Sequence, residues 1–418
     1  MLTNEKHENV RTHASFTFGP VSGKLHTMLS WTVKARIGFA LGVLWLGPTT
    51  CSSQAAFSSL YIFGDGVSTT TNNTTLYPSG TNFFGRRFTN GRVWVEVLAQ
   101  QQGLTNNFWY STSYSNPVSY TNLTSLTTNW SYSSNNWSYF GDDSTNLVRN
   151  VNHFNAPPDA TNALFVVWVN DADFVNSLSK NGTNSILWTN SINQFLTNHF
   201  TAVTNLYAKG ARTLIMPNAV DISTVPAYQN YAAATNGFLR QRVISFNNAF
   251  TTTLMNRIKA NCPSITIYIP DFFSLLDNML TNAAAYGLTN AGNYALNQNP
   301  PNILTNLSMT GPGANYIWWD NQDPTAKAHA VMATLVQQLI SPVRISQITA
   351  DEGGNWLALT NVPIGLNGFV ESSTDLVWGN WTTAANIVST NSTQTIFVPA
   401  ADPPMFYRLR FPYAWTWP

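Results

Sequence analysis

The stretch LYIFGDGVSTTTN, Leu60 to Asn72, decides the fold. Four apolar residues run into Gly64-Asp65-Gly66 and then into a polar turn. A short, nearly continuous apolar run that ends in turn residues is the pattern of a strand covered on both faces. Three later stretches share it: ALFVVWVND (Ala163 to Asp171), TLIMPN (Thr213 to Asn218) and ITIYIPD (Ile265 to Asp271). Between them the apolar residues change period. Ile192, Phe195, Leu196, Val203, Leu206 and Tyr207 fall at helical spacing before Gly210, a natural stop, and Leu239, Val243, Phe246, Phe250, Leu254 and Ile258 repeat the pattern. Alternating strands and helices predict a mostly parallel sheet between helical layers, with any site at the carboxyl ends of the strands.

The composition narrows the partners. The chain has 418 residues, room for a large core and an appended module. Only 9% of residues are charged and the formal net charge is +1, so no basic surface awaits a phosphate backbone and no nucleic-acid partner is expected. Lys34 and Arg36 precede the apolar run IGFALGVLWLG (Ile37 to Gly47), followed by small residues around Ser53 and Ala55, and Met28 offers an alternative start. That order is an export signal, which predicts a secreted, periplasmic or cell-surface protein. The run falls short of the ~20 residues of a stable membrane span. With Cys51 inside the signal, Cys262 stands alone, so neither an intramolecular disulfide nor a Cys-based metal site forms, and Cys262 is expected to be a buried small hydrophobe. No cofactor and no metal are called for.

Two segments depart from the alternation. Residues 101–150 are rich in Asn, Ser, Thr, Tyr and Trp and repeat NWSY at Asn129 and Asn136, which predicts a surface insertion pinned by aromatic residues or, less simply, a sugar-stacking platform. From about Val343 short strands alternate with turns: WLALTNV, GFVESST, TIFVPA and MFYRLRF. The expected organisation is an N-terminal extension with the signal over 1–56, an α/β domain over 57–341, and a small β-sandwich-like module over 342–418.

The blocks FGDGVS (Phe63 to Ser68), FTNGRVWVEVLA (Phe88 to Ala99), WSYFG (Trp137 to Gly141), VVWVND (Val166 to Asp171) and WWDNQDPTAKAHAVMA (Trp318 to Ala333) resemble, in order and rough spacing, those of the SGNH/GDSL hydrolases. The resemblance implies a three-layer α/β/α, flavodoxin-like domain. It also implies a serine nucleophile after Gly-Asp, an oxyanion held by a glycine N–H and an asparagine side chain, and an Asp-x-x-His pair completing the triad. Carried over residue by residue, the serine position is Gly66 and the histidine position is Asp323. Asp65 precedes the nucleophile position, Gly91 and Asn170 fall at the oxyanion donors, and Asp320 falls where the histidine would be oriented. Trp168 replaces a glycine of the fourth block or marks a short deletion. A serine hydroxyl needs a base within hydrogen-bond reach, so loss of both residues removes the proton-moving pair.

The neighbours offer weak substitutes. Ser68 lies two residues past Gly66, where a helix would turn it away, and reads as a helix-start residue bonded to backbone. His329 lies six residues past Asp323 on a helix opened by Pro324, on another face, and reads as a packing or capping residue; His153 and His199 have no motif around them. Asp323 before Pro324 reads as an N-cap. A sharper reading gathers Asp65, Asp171, Asp320 and Asp323 in one pocket that holds a cation or sugar hydroxyls. Three functions follow in order: an exported binder of carbohydrate or another surface polymer, with the C-terminal module serving recognition; a hydrolase of acyl or acetyl esters with a displaced nucleophile and base; and a structural envelope or matrix protein.

Overall fold

The computed structural model describes residues 57–70, 83–84, 87–104, 135–169, 171–297, 312–376, 380–401 and 405–412. The export signal, Cys51, the first NWSY copy at Asn129 and Asn170 lie outside the described residues. In chain order the α/β region contains β1 (Leu60–Gly64), α1 (Trp94–Gln101), α2 (Ser144–His153), β2 (Leu164–Trp168), α3 (Asp171–Asn181) and α4 (Ser185–Ala208). Then come β3 (Thr213–Ile215), α5 (Ala233–Ala249), which runs through a π turn into α6 (Met255–Asn261), β4 (Thr266–Tyr268), α7 (Phe272–Thr281), β5 (Asn290–Tyr294), β6 (Tyr316–Trp318) and α8 (Ala326–Ile340).

All four strands expected from apolar runs form, and they pair in parallel in the order β1-β2-β3-β4. Their side chains explain the layers. On β2, Phe165 stacks on Tyr61 at 5.2 Å and meets Phe154 edge-on just past α2, whereas Trp168, of opposite parity, meets Phe272 of α7 at 5.0 Å and Trp94 of α1 at 5.9 Å. Successive strand residues point to opposite faces, so helices must cover both. α2 packs on α4, and α1 packs on α8. Cys262 is buried and free, as expected of a small apolar residue.

The second NWSY copy is no surface insertion. Ile62 N–H donates to Asn135 O at 2.9 Å, and Trp137 N–H donates to Ile62 O at 2.7 Å, so residues 135–139 run along the free edge of β1. Asn136 Nδ2 donates to Ser68 O at 3.0 Å and to Thr70 Oγ1 at 3.1 Å, which ties this segment to the turn after β1. Pairing the open edge satisfies backbone groups that would otherwise face solvent.

A separate antiparallel all-β region follows: β7 (Arg344–Asp351), β8 (Gly354–Thr360), β9 (Gly368–Ser373), β10 (Thr382–Ile387), β11 (Thr393–Pro399) and β12 (Phe406–Arg410). Two three-stranded sheets, β11-β8-β7 and β10-β9-β12, enclose Leu357, Leu359, Val362, Val370, Ile387 and Val398. The four strands read from the sequence are β8, β9, β11 and β12. β7 and β10 were not expected, because residues 344–351 are almost wholly exposed and 382–387 carry one buried side chain, so neither shows an inward apolar alternation. No helix of the described residues is long and apolar enough to cross a membrane.

Candidate functional site

The site forms where β1, β2 and β6 end. Gly66–Ser68 is one 3₁₀ turn opened by Asp65, whose Oδ1 accepts the Val67 N–H at 3.3 Å. α3 begins at Asp171, immediately past β2 and the position of Asn170. After β6, Asp320 Oδ1 accepts N–H groups from Gln322 at 2.8 Å and Asp323 at 2.7 Å, while Trp319 N–H donates to Asp323 O at 2.8 Å. This tight loop holds Asp323 inward, 5% exposed. Asp323 is not the N-cap: that role falls to Thr325, whose hydroxyl accepts the Ala328 N–H, and α8 opens at Ala326 rather than at Pro324.

A cavity of about 250 Å³ lies over the turn, with Gly66 and Asp65 at its base and Asp171, Asp323, Phe140 and Tyr228 among its walls. Beside it is an apolar cavity of about 40 Å³ lined by Trp168, Val67 and Phe272, and Asp171 borders both. Four of the positions singled out from sequence, Asp65, Gly66, Asp171 and Asp323, therefore come together, and Trp168 lines the adjoining space. Asp320 lies behind Asp323 and lines neither cavity; Gly91 is buried and also lines neither.

The electrostatics follow from burial. Desolvation pushes the Asp171 carboxyl up to about 6, and Asp171 Oδ1 is buried with no hydrogen-bond partner among the described residues. Asp320 is raised by burial, against the pull of the two N–H groups it accepts. Asp323 is held well above the usual carboxylate range, first by burial and then by the charges of Asp320, Asp171 and Asp65. Like charges out of water cannot all ionise, so the neutral acid is favoured at Asp323. The Tyr228 phenol is raised by burial and by Asp171, Tyr231 and Asp323, and its oxygen accepts from Gln322 Nε2 at 3.3 Å. Among the described residues, no group of three His, Cys, Asp or Glu is arranged to hold a metal ion.

Sequence comparison places the chain in a family. A model of the GDSL-like Lipase/Acylhydrolase family matches residues 60–336. The chain belongs to the GDSL family. It is similar to two GDSL esterase/lipases of Arabidopsis thaliana: 23% identical over 325 residues, covering 70% of this chain and 90% of the relative, and 24% identical over 342 residues, covering 70% and 85%. Among solved structures it is similar to a gut microbial diltiazem-metabolizing enzyme, with a TM-score of 0.35 and 10% identity over 81% of this chain and 63% of that one.

Within this GDSL domain, the neighbours that sequence reading weighed as substitutes are pinned elsewhere. Ser68 is fully buried and its Oγ accepts from the Trp94 indole N–H at 3.0 Å, so its side chain bonds a ring rather than backbone, and the turn that carries it never becomes an α-helix. His329 Nδ1 accepts the Trp94 backbone N–H at 3.2 Å, and burial pushes the imidazole down to about 3, which keeps it neutral. Each bonds to Trp94 rather than to the other, and neither lines the cavity. His199 is buried in the core, with Nδ1 2.8 Å from Phe195 O, and His153 is exposed.

Among the wall residues that escaped the sequence reading are Phe140, Tyr228 and Gln322. Phe140 stacks on Phe88 at 4.6 Å, and a Cβ built on Gly66 would lie 2.9 Å from its Cδ2. The signal for Phe140 was the fixed block WSYFG, read there only for its place in the order of blocks. Tyr228 stands in PAYQNY, a loop with no periodicity, and the Ala227 N–H bond to Asn321 O at 2.7 Å and the Gln322 Nε2 bond to its own hydroxyl at 3.3 Å bring it to the site.

Proposed function

We propose that this GDSL-family chain binds a hydroxyl-rich ligand, a carbohydrate or another surface polymer, in the cavity over Gly66, and has lost the ester chemistry of its relatives. The observation that carries this reading is the bare Gly66 backbone at the cavity, where the nucleophile's side chain would stand, with a ring-edge carbon of Phe140 2.9 Å from the Cβ that Gly66 lacks.

The walls suit sugar hydroxyls. A neutral Asp323 acid donates and accepts, Asp171 offers an unpartnered oxygen, and Phe140 and Tyr228 supply ring faces for the apolar side of a sugar. The apolar run at Ile37 to Gly47 supports export, which would bring the protein to such polymers. An acyl ester would instead need a hydroxyl and an imidazole in mutual reach, and Ser68 and His329 are each committed to Trp94.

A thermal-shift titration with uncharged oligosaccharides tests the reading. Saturating ligand at 100 times its Kd should stabilise the fold by about 2.7 kcal/mol, seen as a rise in melting temperature. Asp171→Ala with Asp323→Ala should abolish that rise. No shift from any sugar, together with turnover of a nitrophenyl ester, would favour the hydrolase instead.

A further inference from the structure

The C-terminal region carries a second feature that the cavity does not explain. On the outer face of the β11-β8-β7 sheet, Trp356 and Phe397 are directly opposite in register, 41% and 37% exposed, with ring centroids 4.9 Å apart. Aromatic side chains of this size normally bury their faces. These two are held open by construction. The Trp356 indole N–H donates to Asp351 Oδ2 at 3.3 Å, which fixes its edge. The hairpin turn is Glu352-Gly353, and the ring of Phe397 reaches over it and the start of β8: a Cβ on Gly353 would lie 3.5 Å from the ring, and one on Gly354 2.9 Å from it and 2.2 Å from the Val398 carbonyl. Glycine thus keeps the backbone bare beside the ring.

The surroundings select the occupant. Thr349 lies opposite Trp356 on the other side, and Thr395 and Gln347 flank Ala358 on the same face, so hydroxyl and amide groups ring the aromatic pair. Asp351 and Glu352 are exposed at its edge, and among the described residues neither forms an ion pair with Lys or Arg. Carboxylates without a cation repel anionic polymers and a two-fold-related copy of the same face, whereas they accept hydrogen bonds from neutral hydroxyls. A pair of rings ringed by Thr and Gln is also too small and too polar to seat in lipid. An uncharged polysaccharide fits each requirement: apolar C–H faces for the rings, and hydroxyl donors for Asp351 and Glu352.

We infer that the Trp356–Phe397 face is a binding platform for an uncharged polysaccharide, separate from the cavity over Gly66. It deepens the reading that this chain binds carbohydrate but rests on a different surface, so either can fail without the other. The test is retention of the full chain on insoluble cellulose, chitin and β-1,3-glucan. The expected result is retention on at least one of the three. Trp356→Ala and Phe397→Ala should each cut it about tenfold, Trp356→Phe should keep most of it, and Ile186→Ala, an exposed apolar change on α4, should leave it unchanged. Each variant is checked for an unaltered melting temperature, and both aromatic positions are exposed enough that folding should survive. No retention on any of the three matrices overturns the inference, and so does retention that survives the double change Trp356→Ala with Phe397→Ala. A concentration-dependent dimer, dissolved by Trp356→Ala and seen without polysaccharide retention, would overturn it in favour of a second copy of the chain.

Discussion

Gly66 and Phe140 are in contact range: a ring-edge carbon of Phe140 lies 2.9 Å from the Cβ that Gly66 lacks. The effect of a side chain placed at 66 therefore depends on the residue at 140. A serine at 66 displaces the ring, and a serine without a base stays un-ionised.

The first prediction follows from that dependence. Gly66→Ser with Asp323→His should give little esterase activity, because the new side chain presses on the edge of the Phe140 ring. Adding Phe140→Ala should raise nitrophenyl acetate hydrolysis by at least tenfold over the double variant, provided Asp320 orients the new imidazole. The check is the initial rate of the three variants side by side; equal rates with and without Phe140 would remove the steric argument.

The loop that carries Asn90 and Gly91 is fixed by buried polar groups. Asn90 Oδ1 accepts the Ala326 N–H at 2.8 Å and so ties this loop to the start of α8. Asn90→Ala orphans that donor and should cost about 1–2 kcal/mol by chemical denaturation. No measurable loss would mean that water replaces the bond freely.

Arg87 and Glu96 form an ion pair that is 1% exposed on each side, with Arg87 Nε donating to Glu96 Oε2 at 2.6 Å and the Val93 N–H donating to the same oxygen at 3.0 Å. Glu96→Ala leaves a buried guanidinium without its counter-charge and should cost about 3–5 kcal/mol. A looser pair such as Arg149 with Asp142, 3.9 Å apart with the arginine side chain 59% exposed and the aspartate also held by Asn146 and Asn150, should matter far less. The comparison of Glu96→Ala with Arg149→Ala by denaturant midpoint decides whether burial sets the difference.

Stability should fall as pH rises through neutrality. Burial raises Asp171 to about 6 and Asp173 to about 7, and it also raises Asp142, Asp320 and Asp323. A carboxyl raised in the folded state binds its proton more tightly there than in the unfolded chain. Folding thus takes up protons between the ordinary carboxylate range and about pH 7, and the stabilisation present at low pH is lost as pH climbs through that window. Asp159, Asp271 and Glu371 are lowered and act in the opposite sense, but their contribution is lost only as pH falls through the acidic range. The imidazoles of His199 and His329 are lowered by burial and also act in the opposite sense, since they take up protons only on unfolding as pH falls below the ordinary imidazole range; the carboxyl effect is therefore read above it. The melting temperature should be higher near pH 6.5 than near pH 8. Asp173→Asn should flatten that dependence, by on the order of 1 kcal/mol. A melting temperature that rises from pH 6.5 to pH 8 would contradict this.

The sheet was legible because buried strands must be apolar on both faces, and LYIF and LFVVW have no polar side chain to place outward. The five ordered blocks located Gly66, Asp171 and Asp323 at one cavity for the same reason: turns at strand ends are fixed by the strands. Phe140 and Tyr228 were not legible, because a loop residue becomes a wall only when distant backbone bonds bring it there, as the Ala227 bond to Asn321 does for Tyr228. Asp323 was misread as a cap because Asp-Pro is a common helix opening. Asp320 captures its backbone N–H and turns it inward, and Thr325 takes the cap. β7 and β10 were missed since exposed strands carry no apolar alternation to read.

The most direct measurement is the steady-state hydrolysis of p-nitrophenyl acetate by the unaltered protein, beside Ser68→Ala and His329→Ala. With no hydroxyl at Gly66 and no imidazole at Asp323, all three should hydrolyse the ester at one slow rate, no greater than the ~10³–10⁴-fold over water left in triad knockouts. Turnover at ordinary enzymatic rates, ~1–10³ s⁻¹, abolished by either single change, would contradict the account: the catalytic groups would then have moved rather than been lost.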